Sequence, residues 1–402
     1  MSQATHLPDT DIPRYTGARA LLVGSAVAGA AGLALTFVGA IFSPRPAMLA
    51  YLIAFVYWLG LAVGAITLVM ANHAAGARWN ISVRRFGETA GAIIPLFILL
   101  FIPLLLTARH LWFWVDPHDL PKEVMEKLHE KRGYLNFPFF AVRGFVYLAA
   151  LSSIAVRLRS LSIRQDESGD ATFTARMRSM SPVSLLAYAL LFTFASFDWL
   201  MSLQPTWYST IFGLYVYAGA FVASVGMLCL VITGVRSSAH PLGAAITVDH
   251  QHNAGKLLLA FTAFWAYMAF SQYMLIWAGN LPEELIWIDR RSHGVWRPVG
   301  ILILLGHFLL PFFLLLSRDL KRSRRGLAAV ATWILAIHYV DLYWVVMPAA
   351  DIDRLGLHWT HFTAFVGIGG VSLASALWLF RAARPLPVGD PFLEDALRYV
   401  QP

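Results

Sequence analysis

The chain has 402 residues, of which 58% are hydrophobic and only 13% charged, where a soluble protein of this length carries about 25% charged residues. One or two soluble domains are excluded, because no such core could hide the long runs of Leu, Ala, Phe, Trp and Val. The formal net charge of +8 would suit a nucleic-acid partner, but the basic residues are placed as a membrane protein places them, so no nucleic acid is expected.

A helix needs about 20 apolar residues to cross hydrocarbon about 30 Å thick, and ten runs meet that length. Residues 1–17 form a polar tail holding Pro8 and Pro13, without an apolar stretch that ends in a cleavage pattern, so the first span is expected to be retained. The predicted spans are 18–42, 48–72, 88–108, 138–158, 183–203, 209–234, 257–279, 297–316, 327–347 and 361–381, and residues 382–402 form a second tail. The first span carries small residues four apart, Ser25 with Gly29 and Ala28 with Gly32, which permit close helix contact. Three connections exceed ordinary turns: 109–137, 159–182 and 235–256. Residues 164–182 read as a cytoplasmic loop whose basic, partly amphipathic end lies near anionic lipid.

Of the 31 Lys and Arg residues, 20 fall in the N-terminal tail, the even-numbered loops and the C-terminal tail, and 10 in the odd-numbered loops. Basic residues favour the cytoplasmic side. Both termini are therefore predicted to be cytoplasmic, which requires an even number of spans. The outward loop 109–137 fits least well, since its five basic residues are mixed with Asp116, Asp119, Glu123, Glu126 and Glu130. Tyr134, Trp207, Tyr208, Trp296 and Trp359 open the even-numbered spans on the outer side, where aromatic rings prefer the headgroup layer.

Cys229 is the only cysteine. That excludes a disulfide framework, a Cys-ligated iron–sulfur cluster and c-type haem attachment. No glycine-rich phosphate loop or dinucleotide fingerprint is present. The chain is expected to carry no covalently bound or metal cofactor, and so no redox centre of its own.

A short repeat marks the outer ends of the odd-numbered spans: His110 before Pro117, Asp198 before Pro205 and Asp341 before Pro348, each seven residues apart, with Gln272 ten before Pro282. Such repetition suggests a duplicated bundle. Ionisable groups in hydrocarbon carry a penalty of roughly 2.5–3.5 kcal/mol and tend to mark sites. Counted by helical rise, Asp198 lies about 7–8 Å, Asp341 about 9 Å and Gln272 about 10 Å from the outer ends of their spans. His307 and His338 share the midplane at about 14–15 Å.

His338 and Asp341 are three apart on one helical face, so Asp341, His338 and His307 form a candidate proton path, joined by Asp198 and Gln272. Mutual satisfaction inside the bundle is the bland reading of the same residues. Two midplane histidines also invite a b-type haem, but bulky neighbours follow both. Asp249, His250, His252 and Lys256 form a candidate cytoplasmic mouth at the start of span seven, with capping by Asp249 and Asn253 the simpler reading. No metal site is assigned there.

The run Asp249-His250-Gln251-His252-Asn253-Ala254-Gly255-Lys256-Leu257-Leu258, with Phe264-Trp265-Ala266-Tyr267, Phe270-Ser271-Gln272-Tyr273-Met274-Leu275-Ile276-Trp277 and Asn280-Leu281-Pro282-Glu283-Glu284, closely resembles one family. It is the second quinone-binding-type, NrfD-like integral membrane subunit of bacterial alternative complex III, a quinol:cytochrome c oxidoreductase. Phe197-Asp198-Trp199-Leu200-Met201, His307-Phe308 with Pro311-Phe312, and Asp341-Leu342-Tyr343-Trp344 with Met347-Pro348 agree with it.

The resemblance implies two four-helix bundles, about 48–203 and 209–347, flanked by helices 18–42 and 361–381. It implies a bacterial inner-membrane location, and as partners a paralogous NrfD-like subunit, a periplasmic iron–sulfur protein and multihaem cytochromes c. It further implies a scaffold and proton-conducting companion to the paralogue that oxidises quinol. Two rivals stay open. The chain itself could bind quinol, in a pocket of Asp198, Trp199, Gln272, Tyr273 and Trp277, where a carboxylate takes the hydroxyl proton and aromatics hold the ring. Or it could be a proton-coupled secondary transporter.

Overall fold

The computed structural model describes residues 14–117, 121–238 and 242–401. Pro8, Pro13 and Asp119 lie outside the described residues. Among the described residues, ten helices are long and apolar enough to cross a membrane: α1 Arg19–Phe42, α2 Pro44–Ala74, α3 Ile81–Leu106, α4 Phe137–Ser168, α5 Thr172–Leu203, α6 Phe212–Val235, α7 Val248–Gly279, α8 Trp296–Leu316, α9 Arg324–Ala349 and α10 Thr360–Arg381. Among the described residues there is no strand. The chain is an all-α, multi-pass membrane protein.

The helices differ from the predicted spans chiefly at their polar ends. Residues 159–182, expected to form a loop, are helical apart from the short link 169–171. Gly169, at φ 67, closes α4 in the left-handed conformation that glycine takes without strain. The Asp170 carboxylate then accepts from the Thr172 amide at 2.8 Å and the Thr172 hydroxyl at 2.7 Å, which starts α5. The hydrocarbon sets a minimum length for a span and no maximum, so both helices run on into water. For the same reason α7 begins at Val248, nine residues before the predicted start. Its cap is Thr247 in a reciprocal capping box with His250, in place of Asp249 or Asn253.

Two spans are locally irregular, each at a proline. In α3 the helix breaks between Gly91 and Leu96, because Pro95 has no N–H for the Gly91 carbonyl and crowds the residue before it. In α8 residues Leu304–Leu309 widen into a π-helix. Pro311 cannot donate to the His307 carbonyl in the α pattern, and such widened turns recur at functional sites.

Helices α2–α5 pack as one group and α6–α9 as another, and α2 meets α6 between them. Small residues let these two approach: a side chain at Gly60 would meet the Ala220 methyl at 2.9 Å. Outside the groups, α1 lies along α10. The small-residue stripe of α1 faces a matching stripe, and a methyl on Gly32 would sit 2.7 Å from the Gly367 nitrogen. The Thr36 and Thr363 hydroxyls bond at 2.9 Å across this seam. The C-terminal residues do more than trail as a tail. Leu386, Leu393, Ala396 and Leu397 pack with Ile81 and Leu242 over the face where α3 begins.

Candidate functional site

Each four-helix group buries one carboxylate on its last helix, Asp198 on α5 and Asp341 on α9, and a short 3-10 turn follows both. Their surroundings differ. Asp198 is gripped by Arg143 of α4, whose Nε donates to Oδ2 at 2.8 Å and Nη2 to Oδ1 at 2.9 Å. The Tyr147 hydroxyl donates to Oδ2 at 3.0 Å. The guanidinium also donates to the Tyr134 carbonyl at 3.0 Å and lies 3.8 Å over the Tyr134 ring. This is a bidentate ion pair with both partners satisfied, the form in which a buried pair is tolerated.

Asp341 meets no arginine or lysine in any ion pair among the described residues. The Tyr215 hydroxyl of α6 donates to its Oδ1. Its Oδ2 lies 3.7 Å from Nδ1 of His307 and 4.0 Å from Nδ1 of His338, beyond hydrogen-bond range. Both nitrogens of His307 and Nδ1 of His338 are buried without a hydrogen-bond partner, and the two rings lie 5.8 Å apart.

Aromatic packing fixes them. Trp265 of α7 stacks on His307 at 3.8 Å, and Tyr57 of α2 lies 5.5 Å from His338. Gly219 of α6 is required here, since a methyl would press to 2.9 Å from the His338 ring. The π-helical turn carries His307, so Pro311 helps to set where the imidazole points. A buried carboxylate without a fixed counter-charge is costly. Beside it stand a phenol that donates to it and two imidazoles, the side chains whose ordinary titration lies nearest neutral pH. A small shift of either ring would bring its Nδ1 within hydrogen-bond range of Oδ2.

The candidate path residues thus fall into three places. Asp341, His307 and His338 are together, Asp198 is shut away with Arg143 in the other group, and Gln272 is buried on α7 with its carbonyl oxygen unpartnered. Gln272 sits two turns, about 10 Å, beyond Trp265 on the same buried face. The proposed quinone pocket is not assembled. Trp199 packs on Phe55 and Phe101 in the first group, while Tyr273 is 48% and Trp277 62% exposed on the outside of α7. A helix presents one face inward, and Gln272 occupies it, which turns Tyr273 and Trp277 away.

The candidate mouth is also rearranged. Asp249 pairs with Arg322 at 2.7 Å and Lys256 is exposed. His250 is fully buried against the Ser82 hydroxyl at 2.9 Å, beneath Tyr399. His252 bonds Gln401. The C-terminal residues therefore cover His250 and His252, and only Asp249 and Lys256 border water.

Three features escaped the sequence reading. Arg143 was legible only as a basic residue just inside a span. A second buried charge cluster joins Arg84 to Glu88 at 3.0 Å and to Asp390 at 2.5 Å, and Arg85 to Glu88 at 2.8 Å and to Asp166. Its Arg84, Arg85 and Glu88 spacing suits one helix face, but α3 was expected to begin only at residue 88. Arg291, between α7 and α8, is buried and donates to the carbonyls of Trp287, Trp344 and Val345 at 2.9, 3.2 and 2.7 Å. Burial lowers its guanidinium from the usual value to about 9. It remains a cation at neutral pH and caps the C-terminal end of α9.

Fold and interior together define a polytopic α-helical membrane protein with a buried cluster of carboxylate, phenol and imidazoles. No family model and no curated protein matches the sequence.

Proposed function

We propose that this chain is a cofactor-free membrane subunit of a respiratory quinol:cytochrome c oxidoreductase of the alternative complex III type, in the bacterial inner membrane. In this reading it is scaffold and proton path beside a paralogous NrfD-like subunit that oxidises quinol. A periplasmic iron–sulfur protein and multihaem cytochromes c take the electrons. The motif resemblance supports the complex. The observation that carries the proton role is the Asp341 cluster: a carboxylate bonded to Tyr215, with two imidazoles at 3.7 and 4.0 Å and no lysine or arginine paired with it among the described residues.

The chemistry needs only these groups. Quinol oxidation in the neighbour releases protons, and an acid within reach of imidazoles can accept and forward them. The separation of Tyr273 and Trp277 from Asp198 counts against quinol binding in the pocket those residues would form.

Asp341→Asn keeps the shape and removes the exchangeable charge. The variant complex, reconstituted in liposomes, is expected to assemble fully and to lose most of its quinol:cytochrome c turnover or coupled proton movement. Unchanged turnover and coupling would rule out the path. Gentle extraction tests the complex itself: co-purification with c-type haem is expected, and isolation as a lone or homodimeric species favours a transporter instead.

A further inference from the structure

We propose that the groove between α4 and α5, on the side that the charge distribution assigns to the cytoplasm, binds the phosphate of an anionic phospholipid through Arg157, Arg164 and Arg176. The groove measures about 600 Å³ and is lined by Ser152, Ser153, Ser160 and these three arginines, with Val156 and Leu161. On α4 the residues 153, 157, 160 and 164 form one stripe by helical periodicity. Arg176 approaches from the antiparallel α5.

Three observations point to a ligand. First, among the described residues none of the three guanidiniums has an ion-pair partner within 4 Å: Asp166 is turned to Arg85, and Asp170, whose field reaches Arg176, is held by the Thr172 amide and hydroxyl. Three cations facing one groove repel one another unless an anion joins them. Second, Ser152 is only 7% exposed and its hydroxyl is buried without a hydrogen-bond partner at the membrane end of the groove. Third, the depths suit a lipid. Arg157 lies about 30 Å along α4 from Phe137, at the far edge of the hydrocarbon, and Arg164 stands about 10 Å further, in the headgroup layer.

Hydroxyls thus sit at the level of the glycerol esters and guanidiniums at the level of the phosphate. Arginine forks match phosphate oxygens two at a time, and basic pockets between helices on this side of a membrane are where anionic headgroups bind. The apolar Val156 and the buried Ser152 extend the groove from the arginines toward the hydrocarbon, which suits a lipid better than an acidic protein segment. The site lies away from the Asp341 cluster, and its occupancy does not depend on the respiratory reading.

The test is native mass spectrometry of the full chain, with whatever partners extraction retains, titrated with phosphatidylglycerol, cardiolipin, phosphatidylcholine or inorganic phosphate. Wild-type protein should retain the two anionic lipids selectively. The triple variant Arg157→Gln, Arg164→Gln, Arg176→Gln should lose at least about tenfold in that retention. Equal retention by the triple variant, equal retention of phosphatidylcholine, or displacement of the lipid by millimolar inorganic phosphate would each overturn the proposal. Loss of a protein partner with lipid retention intact would overturn it too. If the triple variant does not fold, Arg157→Gln and Arg176→Gln, one per helix, should each weaken retention a few-fold, and no change in either would equally overturn it.

Discussion

Asp198 and Asp341 hold matching places in the two groups of helices. Each lies on the fourth helix, seven residues before a proline, and each is approached from the third helix of its group. From that third helix Asp198 receives the Arg143 fork and Asp341 receives His307. The first arrangement uses both carboxylate oxygens and joins a permanent cation to a permanent fold element. The second leaves one oxygen facing imidazoles that it does not bond. The comparison teaches that depth and residue type do not tell a structural acid from a chemical one. The partner does: a guanidinium immobilises charge, while an imidazole can exchange it.

The largest expected effect breaks the first arrangement. Arg143→Leu strands a buried carboxylate, and removing one member of a buried pair destabilises by about 3–5 kcal/mol. Folded yield and melting temperature in detergent should fall sharply, and Arg143→Leu with Asp198→Leu should recover most of the loss. If the single variant melts like wild type, the arginine does not make Asp198 a structural acid. Asp341→Asn is the contrasting change, with turnover affected and melting nearly preserved.

A change remote from both acids sharpens the contrast. Gly32→Val forces a branched side chain into the seam with Gly367, and overpacking of this kind destabilises by about 1–3 kcal/mol. Melting should drop, while proton-coupled turnover per folded complex stays at the wild-type level. An effect of about the same size on stability, roughly 1–3 kcal/mol, is expected from Tyr215→Phe, which leaves a buried carboxyl oxygen without its donor. Its turnover should fall more than its melting temperature. A turnover equal to wild type would remove the phenol from the cluster's chemistry.

The sequence was most legible where a single helix answers the question. The number of spans and the small-residue stripe of α1 could be read directly, and so could the shared helix face of His338 and Asp341. It was least legible where two distant segments meet. That α1 lies on α10, that Arg143 serves Asp198, and that Tyr399 covers His250 are contacts between residues far apart in the chain. The extension of α4, α5 and α7 beyond the hydrocarbon was missed because charged residues there read as loop, although Arg, Lys and Glu are good helix formers. The π-turn at His307 had its cause, Pro311, in plain view, but a proline alone does not say whether a helix will kink, break or widen.

What the chain determines by itself follows from the solvent it folds in. Hydrocarbon offers no partner to an unbonded backbone amide and sets a minimum length, so a run of apolar residues must become a helix that spans. Helix partners are another matter. Lipid tails are as apolar as leucine and give no hydrophobic preference for one neighbour over another. Close packing at Gly32, Gly60 and Gly219, and the pairing of the few polar groups, therefore chose the neighbours. Only that choice separated the acid held by an arginine from the acid left among imidazoles.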